Sequence, residues 1–154
     1  MDLSSLLPAR GVKVMSMPSS KKRLMNEIAE LAASTYDLDA SVVLEALLDR
    51  ESLGPTGVGQ GVALPHARLP DLERCVGVFI LLETPIDFDA VDRQPVDILF
   101  GLFAPEDAGV EHLKALALVS RTLRETAFCT KLRANSDPAT LHAILTEGED
   151  VKAA

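Results

Sequence analysis

Arg50, His66 and His112 are of types and in places that suit chemistry on an anion. His66 ends the segment Gly57-Val58-Gly59-Gln60-Gly61-Val62-Ala63-Leu64-Pro65-His66, in which three glycines alternate with other residues. Glycine removes side-chain bulk and lets a backbone approach a neighbour closely. A neutral imidazole is a nucleophile near pH 7, because its ordinary pKa is about 6.5. Placed after a glycine-spaced turn, it can attack an electrophile with backbone N–H groups nearby. Thr56, Gly57, Gly59 and Gly61 are the positions expected to present such N–H groups to phosphate oxygens. Arg50 offers planar donors that match phosphate. His112 opens a late helix, whose free N–H groups favour an anion.

Each residue also has a plain structural reading. A lone histidine is more often a surface or satisfied core residue. Arg50 can complement the carboxyl end of its helix, or hold Glu51 or the following loop in place. The Gly-x-Gly-x-Gly spacing matches neither a Walker loop nor a dinucleotide fingerprint. His142 lies on a terminal helix without a surrounding motif and reads as structural or surface. Asp87, Asp89 and Asp92 read as a solvated turn, or a rim facing a basic partner. His66, His112 and His142 lack metal-ligand spacing, so neither a metal nor a cofactor is expected.

The elements that position these residues follow from pattern. Leu3 to Pro8 reads as a short docking turn and Val12 to Val14 as a weak strand. A helix is predicted from Ser20 to about Tyr36, with Leu24, Ile28, Leu31 and Ala32 on one face. Asp39 caps a second helix, bearing Val43, Leu44, Leu47 and Leu48, that runs to about Glu51 and is ended by Gly54-Pro55. Residues 55–61 read as a loop and Val62 to Leu64 as a short buried strand. Cys75 to Glu83 and Val96 to Phe103 are nearly continuous apolar runs, as central strands require. A minor strand is placed at Ile86 to Phe88.

Helices follow over about Val110 to Arg124 and Thr126 to Ala134. The first is expected to turn Leu113, Leu116, Ala117, Ser120 and Leu123 inward. Asp137 caps the last helix with Pro138 at its first position. Its inward residues are Leu141, Ile144 and Leu145, and the acidic tail after Glu147 is expected to fray. Helices flanking a few apolar strands in irregular order predict an α/β fold, a three-layer α/β/α sandwich with a central mixed β-sheet. Arg50, His66 and His112 would then meet at one sheet edge, where ligands of open α/β sheets commonly bind.

Composition excludes several classes. A length of 154 residues suits one compact domain. The net charge of −8 argues against a nucleic-acid partner. The same charge would repel small anions, so phosphate chemistry needs local cations and a protein partner bearing basic residues. No apolar run spans a bilayer and no secretory leader is recognisable, so a cytoplasmic protein without membrane insertion is expected. Cys75 and Cys129 match no redox or metal spacing and read as reduced, buried thiols.

The segment from Arg50 to His66 closely resembles the active-site segment of the mannitol/fructose class of enzyme IIA of the bacterial phosphoenolpyruvate-dependent phosphotransferase system. That family reads R-E-x-x-G-x-T-G-[IV]-G-x-G-[IV]-A-[IL]-P-H, and each fixed position is filled here. Its second histidine, in H-L-x-x-L, is matched by His112-Leu113-Lys114-Ala115-Leu116. The likeness runs from about Leu3 to Leu145. Ser20-Lys21-Lys22-Arg23 leading into Glu27 to Ala32 is similar to the nitrogen-regulatory branch. Ala67-Arg68 keeps a base beside the site.

The resemblance implies a single domain over 1–154 and a phosphotransferase component without stand-alone small-molecule turnover. It implies that His66 accepts a phosphoryl group at Nε2 from the phosphohistidine of an HPr-type carrier. His112 would orient His66 or bind phosphoryl oxygens, and Arg50 would neutralise charge. One ring nitrogen of His66 must be bare, so the other needs an acceptor, such as a carbonyl of the glycine loop. Regulated targets in that branch include potassium transporters and sensor kinases. Two other readings stand beside it: a sugar-specific IIA that passes phosphate to a IIB domain, and a non-catalytic binding module. Transfer to a purified IIB domain separates the first, and absence of labelling by any carrier separates the second.

Overall fold

The computed structural model describes residues 1–147 in full and residues 148–153 by backbone alone. Six strands form one mixed sheet. β5 (Val76–Ile86) and β6 (Val96–Pro105) pair antiparallel at its centre. β1 (Val12–Met15) runs parallel to β5. β3 (Val62–Ala63) and β4 (His66–Leu69) both run parallel to β6, and β2 (Gly57–Gly59) pairs antiparallel with β3. The order is β1-β5-β6-β3-β2, with β4 also on β6.

Alternation along the central strands builds two cores. Phe79, Leu81, Ile98, Phe100 and Leu102 face α1 (Leu3–Leu6), α4 (Val110–Leu123), α5 (Thr126–Arg133) and α6 (Pro138–Ala153). Val78, Ile80, Leu82, Leu99 and Phe103 face α2 (Lys21–Tyr36) and α3 (Ala40–Leu53). Each such side chain, fully buried, contributes roughly 1.5–3 kcal/mol of transfer free energy. The sheet is therefore sandwiched between two helix layers, the expected α/β/α arrangement.

Two helix starts are set by the expected caps. The Asp39 carboxylate accepts the Ser41 N–H at 2.9 Å, and the Asp137 carboxylate accepts that of Thr140 at 3.1 Å. The Ser20 hydroxyl accepts the N–H of Arg23, and Asp37, in the left-handed region at φ 56°, ends α2. The fraying expected after Glu147 lies outside the fully described residues.

Several local expectations are corrected. Leu3 to Leu6 is one helical turn capped by Asp2, followed by a 3-10 turn over Ala9–Gly11. The segment read as a loop over 55–61 contains β2, and a hairpin turn joins it to β3. Its turn residues Gln60 (φ 58°) and Gly61 (φ 81°) are both left-handed, as the twist-matched hairpin turn requires. Ile86 is the last residue of β5, paired with Val96, while Phe88 packs in the turn beyond it. His66 opens an unforeseen strand, β4. Pro65 lacks an N–H, and its carbonyl accepts the Leu102 N–H at 2.9 Å between the two parallel pairings on β6.

α4 keeps Leu123 buried and Leu116 against the core as expected, but it is turned so that Leu113 and Ala117 face out. Its buried stripe is His112, Ala115, Leu118, Val119 and Leu123, while Leu113 is 65% exposed. The helix carries apolar residues on two adjacent stripes. The sheet takes the one holding the small Ala115, and His112 is buried with it.

Candidate functional site

The site forms where the end of α3, the start of β4 and the start of α4 meet. Arg50 is in the last turn of α3, which ends at Gly54. His66 is half-buried at the first position of β4. Its Nδ1 lies 2.9 Å from the Leu64 carbonyl oxygen. A carbonyl only accepts, so this contact places the proton on Nδ1 and leaves Nε2 bare. Arg50 Nε–H donates to that bare Nε2 at 3.2 Å, and Arg50 Nη1 donates to the Gly54 carbonyl at 3.0 Å. The acceptor that fixes the tautomer thus comes from the β3–β4 junction, one residue before Pro65, and not from the glycine loop.

His112 stands edge-on to His66, with ring centroids 5.6 Å apart and planes at 69°. It is 7% exposed, and its Nε2 is buried without a hydrogen-bond partner among the described residues. Burial, first, and the Arg50 cation hold the His66 imidazole below its ordinary range, against the opposing pull of the Leu64 carbonyl and Glu51. Burial also lowers His112, helped by His66 and Arg68. Both rings are therefore neutral at pH 7, the state in which an imidazole nitrogen can attack.

The structure brings Arg50, His66 and His112 together. The glycine segment packs closely against the rest of the chain. The N–H and hydroxyl of Thr56 are both taken by the Glu51 carboxylate. A Cβ on Gly57 would lie 2.8 Å from Ala90 Cβ, and Val91 N–H donates to the Gly57 carbonyl. Gly59 sits against the Asp92 carboxylate, and a Cβ on Gly61 would be 2.5 Å from the Arg133 guanidinium. The protein's own neighbours account for the missing side chains at these positions.

Two contributors were underweighted by the sequence reading. Glu51 bonds Lys21 and Thr56, so it is Lys21 and not Arg50 that holds it. Arg68 shares the face of β4 with His66 by alternation and donates to the Glu106 carbonyl at 3.2 Å. Its spacing of two from His66 carries meaning only once β4 is known to be a strand. His142 is structural: its Nε2 lies 2.9 Å from the Leu7 carbonyl.

Among the described residues no helix is long and apolar enough to cross a membrane. Comparison with known proteins gives a consistent result. Residues 5–148 match the family described as phosphoenolpyruvate-dependent sugar phosphotransferase system, EIIA 2. A nitrogen regulatory protein of Escherichia coli (strain K12) is 45% identical over 150 residues, covering 97% of this chain and 92% of the relative. One from Bradyrhizobium diazoefficiens is 43% identical over 145 residues, covering 94% and 95%. The crystal structure of nitrogen regulatory protein IIA-Ntr from Neisseria meningitidis aligns with a TM-score of 0.86 at 36% identity, covering 94% of this chain and 99% of that one. With a match that runs almost end to end and the same layered sheet, this chain belongs to the EIIA type 2 family of the phosphoenolpyruvate-dependent sugar phosphotransferase system, beside its nitrogen regulatory members.

Proposed function

We propose that the chain is a cytoplasmic phosphocarrier that takes a phosphoryl group on His66 Nε2 from an HPr-type phosphohistidine protein. The observation that carries this reading is the pair of contacts on one ring: Nδ1–H held by the Leu64 carbonyl and Nε2 turned to the Arg50 guanidinium. In the transfer, the Nε2 lone pair forms the new nitrogen–phosphorus bond as the donor's nitrogen–phosphorus bond breaks. The donor nitrogen recovers its lone pair. The Nδ1 proton stays on His66 against Leu64, so the phosphorylated ring is cationic and leaves as a neutral imidazole when the group moves on.

Little covalent work is asked of the surroundings, because phosphoryl transfer is mainly positioning and charge stabilisation. Arg50 Nε–H passes from Nε2 to a phosphoryl oxygen. A phosphoryl oxygen also supplies the partner that the buried Nε2 of His112 lacks. In this reading the His112 proton sits on Nε2, and the glycine segment is a scaffold.

The phosphorylation state would then regulate partner proteins concerned with nitrogen, carbon or ion transport, such as potassium transporters or sensor kinases. The names of the Escherichia coli and Bradyrhizobium relatives support a regulatory output. The test is incubation with a phosphorylated HPr-type carrier, followed by mass spectrometry that preserves acid-labile phosphohistidine. One phosphoryl group on the wild type and none on His66→Ala is expected. Labelling that survives His66→Ala excludes that residue as acceptor. Onward transfer to a purified sugar IIB domain would reassign the protein to uptake.

A further inference from the structure

Both ring nitrogens of His66 are controlled by one short stretch of chain, residues 54–56. On one side, Arg50 is aimed at Nε2 while its Nη1 is anchored on the Gly54 carbonyl. On the other, the Leu64 carbonyl that holds Nδ1–H belongs to a residue whose own N–H donates to the Thr56 carbonyl at 2.9 Å. Residues 54–56 follow the end of α3 and carry Pro55 and a glycine, so α3 alone does not fix their path.

What fixes it is Glu51. Its carboxylate side chain is only 9% exposed. One oxygen accepts the Thr56 N–H at 3.0 Å, and the other accepts the Thr56 hydroxyl. Lys21 Nζ, 2.8 Å away, balances the buried charge and is itself seated over the Phe88 ring at 4.6 Å and 3.6 Å from Asp89. A buried carboxylate with one cation and two further donors is well satisfied and therefore stiff.

We propose that Glu51 is a positioning residue for phosphoryl transfer: by clamping Thr56 it sets the carbonyls of Gly54 and Thr56, and through them the aim of Arg50 and the tautomer of His66. This inference rests on the phosphocarrier reading for its kinetic consequence, while its structural half stands on the imidazole alone. The electrostatic effect of Glu51 on His66 is a minor addition.

The test compares Glu51→Gln, Thr56→Val and Thr56→Ser with wild type, using a phosphorylated HPr-type carrier as donor and nitrogen-15 spectra of the histidine rings. Misplacing a reacting group by about an ångström can lower a rate by ~100-fold. Glu51→Gln and Thr56→Val are expected to lower the maximal transfer rate by about 10- to 100-fold with KM for the carrier unchanged. Their His66 resonances should move from a pure Nδ1–H form to a tautomer mixture. Thr56→Ser keeps the hydroxyl and should restore both readouts, which a loss of fold would not do. Wild-type rates in Glu51→Gln and Thr56→Val overturn the proposal, as does a wild-type His66 protonated on Nε2. If the wild type accepts no phosphoryl group, the functional reading fails, and the tautomer comparison still decides the clamp.

Discussion

Replacing Arg50 by Gln tests the site most directly. The substitution keeps a hydrogen-bonding group on α3 and removes the cation whose Nε lies 3.2 Å from His66 Nε2. Loss of one preorganised donor at a site of developing negative charge raises a barrier by about 2.7–4 kcal/mol. Arg50 is half-buried, so solvent screens part of its field and the lower end applies. At about 1.36 kcal/mol per tenfold, that is a loss of roughly 100-fold in transfer rate. Arg50→Lys keeps the charge and loses the fork that reaches both Nε2 and the Gly54 carbonyl, so a smaller loss of about tenfold is expected. The same Gln substitution should let the His66 pKa rise, because Arg50 is one of the groups that lower it, while burial still keeps it under the ordinary range. Transfer is followed at saturating phosphorylated carrier, and the titration by histidine NMR. An Arg50→Gln protein with wild-type rate and an unmoved His66 titration would refute the assigned role.

Three other outcomes follow from single contacts. His66 and His112 titrate below their ordinary value in the folded state, so the unfolded chain binds protons first as pH drops. Their stabilising contribution is complete above pH ~6.5 and is lost as pH falls through the lowered folded values. Thermal melts from pH 7 to 5 should therefore decline less steeply in the double variant His66→Gln, His112→Gln, and parallel declines would contradict this. Gly57→Ala drives a methyl to 2.8 Å from Ala90 Cβ and 2.9 Å from its Cα, an overpacking expected to reduce stability by about 1–3 kcal/mol in urea unfolding. An unchanged midpoint would show that the 90–92 segment yields freely. Tyr36 is the one tyrosine and there is no tryptophan, so absorbance reports it alone. Burial pushes its phenol up to about 12, and native protein should show almost no phenolate at pH ~10.5, where an exposed tyrosine is mostly ionised.

Much of the architecture was legible because it is local. The α2 and α3 stripes, the caps at Asp39 and Asp137, and the apolar runs of β5 and β6 are each written in residues close together in the chain. β3 was legible from its apolar residues, whereas β2 and β4 have three and four residues, too few for an alternation to register. β4 is further hidden because Pro65 interrupts the edge on which β3 and β4 both lie. The rotation of α4 was illegible for a different reason. Leu113-Leu116-Ala117 and His112-Ala115-Leu118-Val119 are both plausible inner faces, and only the shape of the sheet surface discriminates between them.

The sequence by itself determined the chemistry on offer: a histidine nucleophile, an arginine and a second histidine, in a word order shared with a phosphotransferase family. It also determined a layered α/β scaffold. Tertiary structure alone decided which imidazole nitrogen is bare, because the Leu64 carbonyl and the Arg50 guanidinium reach His66 from opposite sides through different elements. It decided as well that the glycines pack against Ala90, Asp92 and Arg133, which lie 33 or more residues away along the chain. Residue types are written locally, whereas hydrogen-bond partners are set by packing between segments that local pattern does not connect.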